Sequence, residues 1–203
     1  MNAAHHATIR NKPIRFLGGG GGESGLGYGT PVSYTVSLNL PTDAKVVLAA
    51  AYFSLDSGIA ASIAVGGVSM VSTGVTVGGW TIYKLDNPPT GAVNFVVYGY
   101  AWGWTKVGGL CAAYAGCSSV GTPVAASGSG TALSQTTGSF ISGEGAAFNI
   151  FAGAAAPSGY NKTTRGSYGN FVWGDAPGSG STITFSATQT SGAWSSAVIP
   201  LNP

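Results

Sequence analysis

Side chains that could perform acid–base chemistry are rare in this chain. Charged residues make up 7% of its 203 residues, with six acids and eight bases, against about 25% in an ordinary soluble domain. Catalysis by two carboxylates requires them to converge to roughly 5–10 Å. Asp43, Asp56 and Asp86 stand beside Pro, Ser or Gly in turn sequences, where an Asp side chain hydrogen-bonds the nearby backbone. The spacing of the acids therefore predicts no catalytic pair.

Asp175 is the one acid that we keep as a candidate for lining a shallow site, because it lies in the loop-like sequence Trp173–Gly178. A pocket in which Asp175 or Glu144 faced a second titratable group would count against a non-enzymatic interpretation. That arrangement is therefore the first thing to look for in the fold.

Nucleophilic and metal chemistry also lack partners. A Ser or Cys nucleophile needs a base, normally His, and the two histidines, His5 and His6, lie near the N-terminus. Metal sites want three or four ligands, and no Cys or acid stands near this pair. Cys111 and Cys117 are expected to be reduced thiols with Cys111 buried in a strand, a local disulfide being the alternative. We expect no enzyme activity, no cofactor and no metal.

Charge and hydropathy exclude two further classes of partner. The net charge is +2, whereas nucleic-acid binding needs many bases on one face. The apolar runs are of strand length and too short to cross a membrane. A surface with so little charge is weakly protected against association, which favours packing against other subunits or self-association.

Alternating and continuous apolar segments predict an all-β fold. Val32–Leu40 alternates apolar and polar residues, which is typical of a half-buried strand, and the apolar run Lys45–Leu55 indicates a strand buried on both faces or covered at a subunit contact. Gly66-Gly67 between apolar segments indicates a hairpin. About ten short strands separated by Gly, Pro and Ser turns favour an antiparallel β-sandwich, jelly-roll-like, over residues 31–203.

The first thirty residues differ in composition and predict an extended arm with a glycine hinge. A run of glycines behaves as a flexible coil when it is free. We expect the basic and apolar residues before it to anchor the chain on a neighbouring subunit. The anchoring residues are Arg10, Lys12, Pro13, Ile14, Arg15 and Phe16, and the hinge is Gly18, Gly19, Gly20, Gly21 and Gly22.

Aromatic residues provide the candidates for recognition. In one extended strand Tyr98, Tyr100, Trp102 and Trp104 would share a face, and such a row could stack on sugar rings. The alternative is that the row packs a core or a subunit interface, where Tyr and Trp are enriched. A second aromatic region lies around Tyr168 and Trp173. The candidates for binding a glycan or a partner are Tyr100, Trp102, Trp104, Tyr168 and Trp173.

Several turn sequences, in order, carry a family resemblance. They resemble a Gly/Ser-rich β-sandwich module of minor tail and other virion proteins of tailed bacteriophages, found also in some bacterial surface proteins. The family commonly continues the third motif with Val-Asp, whereas this chain has Cys117-Ser118, which weakens any transfer of a metal or ligand site. The motifs are Val65–Met70, Tyr83–Gly91, Ala113–Gly116 and Gly121–Pro123.

The resemblance implies a non-enzymatic virion component, with no catalytic residues. We expect a minor tail or tail-tip protein, assembled in the bacterial host cytoplasm and held among other tail or capsid subunits. A capsid decoration protein and a carbohydrate-binding surface module are the alternatives. A host-surface glycan is the candidate partner for the second of these.

Overall fold

The computed structural model describes residues 13–56, 58–137, 145–178 and 182–203, and all of its regular elements are β-strands. In chain order these are β1 Arg15–Glu23, β2 Gly27–Tyr28, β3 Val32–Leu40, β4 Ala44–Leu55, β5 Gly58–Val65, β6 Val68–Ser69, β7 Val71–Val77, β8 Trp80–Asp86, β9 Gly91–Ala101, β10 Trp104–Ala115, β11 Ser119–Val120, β12 Val124–Ser129, β13 Ala132–Thr136, β14 Ala146–Gly153, β15 Thr163–Tyr168, β16 Phe171–Pro177, β17 Thr184–Thr188 and β18 Ala193–Asn202.

The strands form four antiparallel sheets. The central sheet has the order β1-β10-β4-β8-β7, with β2 also paired to β10. The outer sheet has the order β3-β9-β5-β6. The C-terminal sheet has the order β11-β18-β14-β16-β15, with β12 also paired to β18, and the two-stranded sheet contains β13 and β17.

Three apolar cores hold the sheets in a stack. Alternate residues of β4 face opposite ways, so Leu48 packs against the C-terminal sheet while Val47 packs against the outer sheet. In the C-terminal sheet, Phe148 belongs to the first of these cores and Phe151 to a third core shared with the two-stranded sheet. The expected all-β antiparallel sandwich is therefore confirmed, with more than two layers.

Three local predictions are confirmed by the structure. β3 has the bounds and the alternation predicted for Val32–Leu40. β4 is buried on both faces because it lies in a central layer, so the first of the two alternatives for Lys45–Leu55 holds. Gly66 and Gly67 have positive φ angles of 55° and 81° and form the predicted hairpin turn between β5 and β6.

The expected glycine hinge is wrong, because the run Gly18–Gly22 lies inside strand β1. It pairs in antiparallel register with β10, from Gly18 opposite Ala113 to Gly22 opposite Gly109. A Cβ atom on Gly21 would lie 2.6 Å from Trp173, and one on Gly22 would lie 2.8 Å from Tyr34. Gly21 and Gly22 must be glycine because side chains of the neighbouring sheets contact both faces of the strand at these positions.

The extended arm predicted for residues 1–30 is also wrong for the part of it that the structure describes. β1 and β2 both pair with β10, so the described part of residues 1–30 belongs to the sandwich and the boundary at residue 31 does not separate two bodies. Ile14 and Phe16 pack against the core between the central and C-terminal sheets. Arg15 forms an ion pair of 2.7 Å with Asp43 of the same chain. Arg10 and Lys12 lie outside the described residues.

Candidate functional site

Large apolar side chains are exposed around the hairpin that joins β9 to β10. Trp102 in the turn is 70% exposed and Trp104 at the start of β10 is 51% exposed. Tyr28 of β2 pairs with Trp104 across the sheet and is 65% exposed. Leu26 and Ile59, which flank these strands, are exposed as well. We call Tyr28, Tyr100, Trp102 and Trp104 the aromatic tip.

The rings of the aromatic tip form two pairs. Tyr28 and Trp104 have centroids 5.0 Å apart at an interplanar angle of 69°, an edge-to-face contact. Tyr100 and Trp102 have centroids 5.9 Å apart and are inclined by 58°. Aromatic rings prefer such tilted arrangements at these distances. The rings therefore present edges and faces in several directions and form no single flat platform.

The backbone around Gly103 positions the tip. The Asp56 amide donates to the carbonyl oxygen of Trp104 at 2.9 Å, and the Gly29 amide donates to the carbonyl oxygen of Gly103 at 3.0 Å. A Cβ atom on Gly103 would lie 2.7 Å from the Asp56 Cβ, so this turn needs glycine. Asp56 itself lies in a turn, as the sequence predicts.

Two predictions about the aromatic residues are corrected by this geometry. Tyr98 and Tyr100 lie on β9, but the chain turns at Trp102 and Gly103, so the four aromatic residues do not share one strand. Trp173 is 2% exposed and belongs to a core, so it cannot stack on a ligand. The side chain fits there because Gly21 and Gly166 leave room, since a Cβ atom on Gly166 would collide with its indole ring.

Asp175 does face titratable groups, the arrangement that would count against a non-enzymatic interpretation. Arg165 donates to its carboxylate from Nε at 2.8 Å and from Nη2 at 3.0 Å, and the Tyr114 hydroxyl donates at 2.9 Å. Arg165 also lies over the Phe16 ring, 4.3 Å from its centroid. A cleft of about 370 Å³ lies beside these groups.

Both partners of the Asp175 carboxylate act as hydrogen-bond donors to it. Arginine stays protonated in proteins. Burial, and then the charge of Asp175, raises the pKa of Tyr114 well above its ordinary value. Through these hydrogen bonds Asp175 joins β10, β15 and β16 as a structural link.

Glu23 forms a second polar cluster between two sheets. Its carboxylate accepts hydrogen bonds from the hydroxyls of Tyr52 at 2.7 Å and Tyr168 at 3.1 Å, and forms an ion pair with Lys106. Tyr168 is half-buried here, beside a cleft of about 310 Å³ that Trp80 also lines. The candidate residue Tyr168 is thus engaged within the chain, and its hydroxyl helps to fasten β15 to β1.

The hydrogen bonds to Glu23 make it a pH-dependent contact. Partial burial alone would raise the pKa of Glu23, but the bonds from Lys106, Tyr52 and Tyr168 outweigh it and hold the pKa below the ordinary 4.5. A carboxylate whose pKa is lower in the folded state stabilises the fold above its unfolded pKa, and loses that contribution as the pH falls through the folded pKa.

We expect Glu23→Gln to lower the melting temperature at pH 7 and to have a progressively smaller effect as the pH falls below 4.5 and through the lowered folded pKa, because the wild-type carboxylate then becomes protonated. Melting curves followed by circular dichroism from pH 3 to pH 7 measure this difference. Because Lys162 lies outside the ion pairs formed among the described residues, Lys162→Gln is the control for removing a charge. A difference between wild type and Glu23→Gln that is constant over the whole range would contradict the assignment.

The cysteines are both free and buried, so the expectation of two reduced thiols is confirmed and no local disulfide forms. Burial raises the pKa of the Cys111 thiol to about 12, and a protonated thiol is a poor nucleophile. Across the described residues, no group of three or more His, Cys, Asp and Glu side chains could hold a metal ion. None of the described segments forms a helix with the length and apolarity that a membrane span needs.

Two comparisons with known proteins return no match. A scan against protein-family models finds no family that fits this chain, and a search of curated proteins finds no related sequence.

Proposed function

We propose that this chain is a non-enzymatic structural protein of a bacteriophage virion, a minor tail or tail-tip component that docks on neighbouring subunits. The observation that supports docking is the exposure of the aromatic tip, where Trp102 and Tyr28 leave 70% and 65% of their surface to solvent. Exposed apolar groups of this kind mark interaction sites. The virion assignment comes from the family resemblance of the turn motifs.

A protein partner fits the aromatic tip better than a sugar does. The rings are mutually tilted by 58° and 69°, whereas stacking on a sugar needs a flat, open ring face. Leu26 and Ile59 add exposed aliphatic surface beside the rings. Protein interfaces combine Trp and Tyr with apolar neighbours at their centres. A carbohydrate-binding module stays the second candidate function because Trp102 is so widely exposed.

The pairing of acidic side chains with bases of the same chain supports a non-enzymatic role. Glu23, Asp43, Asp86 and Asp175 each form an ion pair with a base of the same chain. Active sites instead hold acids and bases that titrate near the working pH. The Asp175 and Glu23 clusters therefore support stability better than turnover.

The residues that we propose to anchor the chain on a neighbouring subunit are now restricted to those before β1. A deletion of residues 1–22 would remove most of β1 and test folding instead of anchoring, because β1 pairs with β10. A deletion of residues 1–12 removes Arg10 and Lys12 and leaves every described residue in place. If the deleted protein joins virus particles as well as the full chain does, residues 1–12 do not anchor it.

The docking role of the aromatic tip is tested with the double variant Trp102→Ser/Trp104→Ser. Truncating central aromatic residues of an interface typically costs 2 kcal/mol or more, which is roughly 30-fold in affinity, so we expect incorporation into particles to fall by at least about tenfold. Co-sedimentation with purified particles measures the incorporated fraction. Val71→Ser, at an apolar residue 63% exposed in β7, is the matched control.

The outcomes separate the candidate partners. Undiminished incorporation of the double variant, or an equal loss with Val71→Ser, would overturn docking through the aromatic tip. Binding of the purified wild type to a glycan array, lost in the double variant, would replace the protein partner with a carbohydrate. If the chain joins the virion through another surface, the wild-type chain will still co-sediment with purified particles.

A further inference from the structure

The outer sheet contains no charged residue. Its strands β3, β9, β5 and β6 are built without Lys, Arg, Asp or Glu. The exposed positions of β3 are small and polar, namely Ser33, Thr35, Ser37 and Asn39. Soluble proteins usually guard a sheet edge with Lys, Pro or an inward-pointing charge. The outer sheet has none of these along β3.

Among the described edge strands, β3 is the longest that pairs with its neighbour without a register shift. β1, β7 and β15 each contain a register shift where they pair with their neighbour, and such bulges disrupt an edge for further pairing. β3 pairs with β9 over nine consecutive residues without a shift, and β9 is its one partner among the described strands. β3 is thus a long, regular and unguarded edge.

The register shows which backbone groups of β3 point away from the sheet. The Gly66 amide donates to the carbonyl oxygen of Asn94, so Asn94 directs its backbone groups to the β5 side of β9. Because this direction alternates along an antiparallel strand, Phe95 and Val97 direct theirs to β3, where they pair with Val36 and Tyr34. The odd-numbered residues of β3 therefore direct their N–H and C=O groups outward: Ser33, Thr35, Ser37 and Asn39.

We propose that two copies of this chain associate by antiparallel pairing of their β3 edges, with the two-fold axis at Val36. In this register Thr35 lies opposite Ser37 of the second copy, and Ser33 lies opposite its Asn39. All four outward-facing residues then exchange hydrogen bonds with the other copy. The result is a continuous sheet made of two outer sheets.

The sequence of β3 favours a second copy as the occupant. Its polarity is symmetric about Val36, with apolar residues at even and polar residues at odd positions on both sides. Antiparallel pairing of two identical strands therefore places apolar side chains opposite apolar ones, with no charge to repel. Two-fold dimers are the commonest closed assemblies. This contact goes beyond the proposed function and uses a different surface from the aromatic tip. An experiment can therefore contradict the β3 dimer without contradicting docking through the tip, and the reverse.

The first test is the mass of the full-length protein and the exchange of its amides. Light scattering after gel filtration should give twice the monomer mass of 20.1 kDa. Hydrogen exchange followed by NMR should show slow amides at all positions from Ser33 to Asn39 in the dimer. In a monomer the amides of the odd residues would exchange fast while those of Tyr34, Val36 and Leu38, bonded to β9, stay slow.

Variants at Thr35 test the register. Thr35→Pro removes an outward N–H to which none of the described strands pairs, and Thr35→Lys adds a guarding charge at an exposed position. We expect both to give monomers with fast odd amides, while Thr35→Ser stays dimeric. Thr35→Lys keeps the test decisive if the proline variant does not fold. Ser134→Lys, at an exposed site of β13, is the charge control and should stay dimeric.

A monomeric wild type at its highest soluble concentration would overturn the proposal. So would a dimer that survives Thr35→Lys, or a dimer whose odd β3 amides exchange freely. A β3-paired dimer that fails to join particles would leave this contact standing and count against the virion role.

Discussion

Replacing Asp175 with asparagine is expected to lower the free energy of unfolding by about 3 kcal/mol, the lower end for a broken buried pair. Asp175 is 6% exposed and accepts hydrogen bonds from Arg165 and Tyr114. Asn keeps the size of the side chain but removes its charge, which leaves the partly buried Arg165 guanidinium beside a neutral group. Urea denaturation of both proteins, followed by Trp fluorescence, measures the difference.

Asp86→Asn provides the matched control for this charge deletion. Asp86 pairs with Lys84 at 2.8 Å, but its side chain is 50% exposed, and exposed ion pairs contribute about 0–1 kcal/mol. We expect the loss at Asp175 to exceed the loss at Asp86 clearly. Equal small losses would show that the Asp175 cluster is not a structural link and would reopen its cleft as a functional site.

Replacing Gly21 with valine is expected to destabilise the fold by about 1–3 kcal/mol, the range for overpacking a filled core. A Cβ atom there would lie 2.6 Å from the Trp173 ring and 3.0 Å from the Leu110 Cβ. Both contacts belong to buried side chains that cannot move aside freely. In a protein of this size the melting temperature should fall by roughly 2–4 °C for each kcal/mol, which scanning calorimetry measures.

Gly25→Val is the control for the change at Gly21. A Cβ atom on Gly25 meets no atom within 4 Å, so the same substitution adds no clash there. We expect its melting temperature to stay close to that of the wild type. A similar loss at both positions would mean that glycine is not needed in β1 for packing.

The sequence predicts much of the fold because local patterns determine it. The alternation in Val32–Leu40 and the paired glycines at 66–67 need no knowledge of distant residues. The glycine run was misassigned because composition alone makes five glycines resemble a free linker. Their role depends on Tyr34 and Trp173, which approach β1 from different sheets and have no sequence relation to it.

The candidate site could be predicted in part. Trp102 and Trp104 were named from the sequence and are exposed, but Trp173 is buried because distant glycines leave a space for it. Tyr28 was missed, since β2 is two residues long and joins the site by pairing with Trp104. The one indication in the sequence is an aromatic residue two positions after Leu26, among the Gly-rich residues 25–29.

Mass spectrometry of purified particles from its source tests the proposal that this protein is a structural subunit of a virion. We expect the chain to be present at a fixed ratio to the other structural proteins and to stay bound through gradient purification. Its absence from particles, with the chain recovered only in the soluble fraction of the lysate, would contradict the claim.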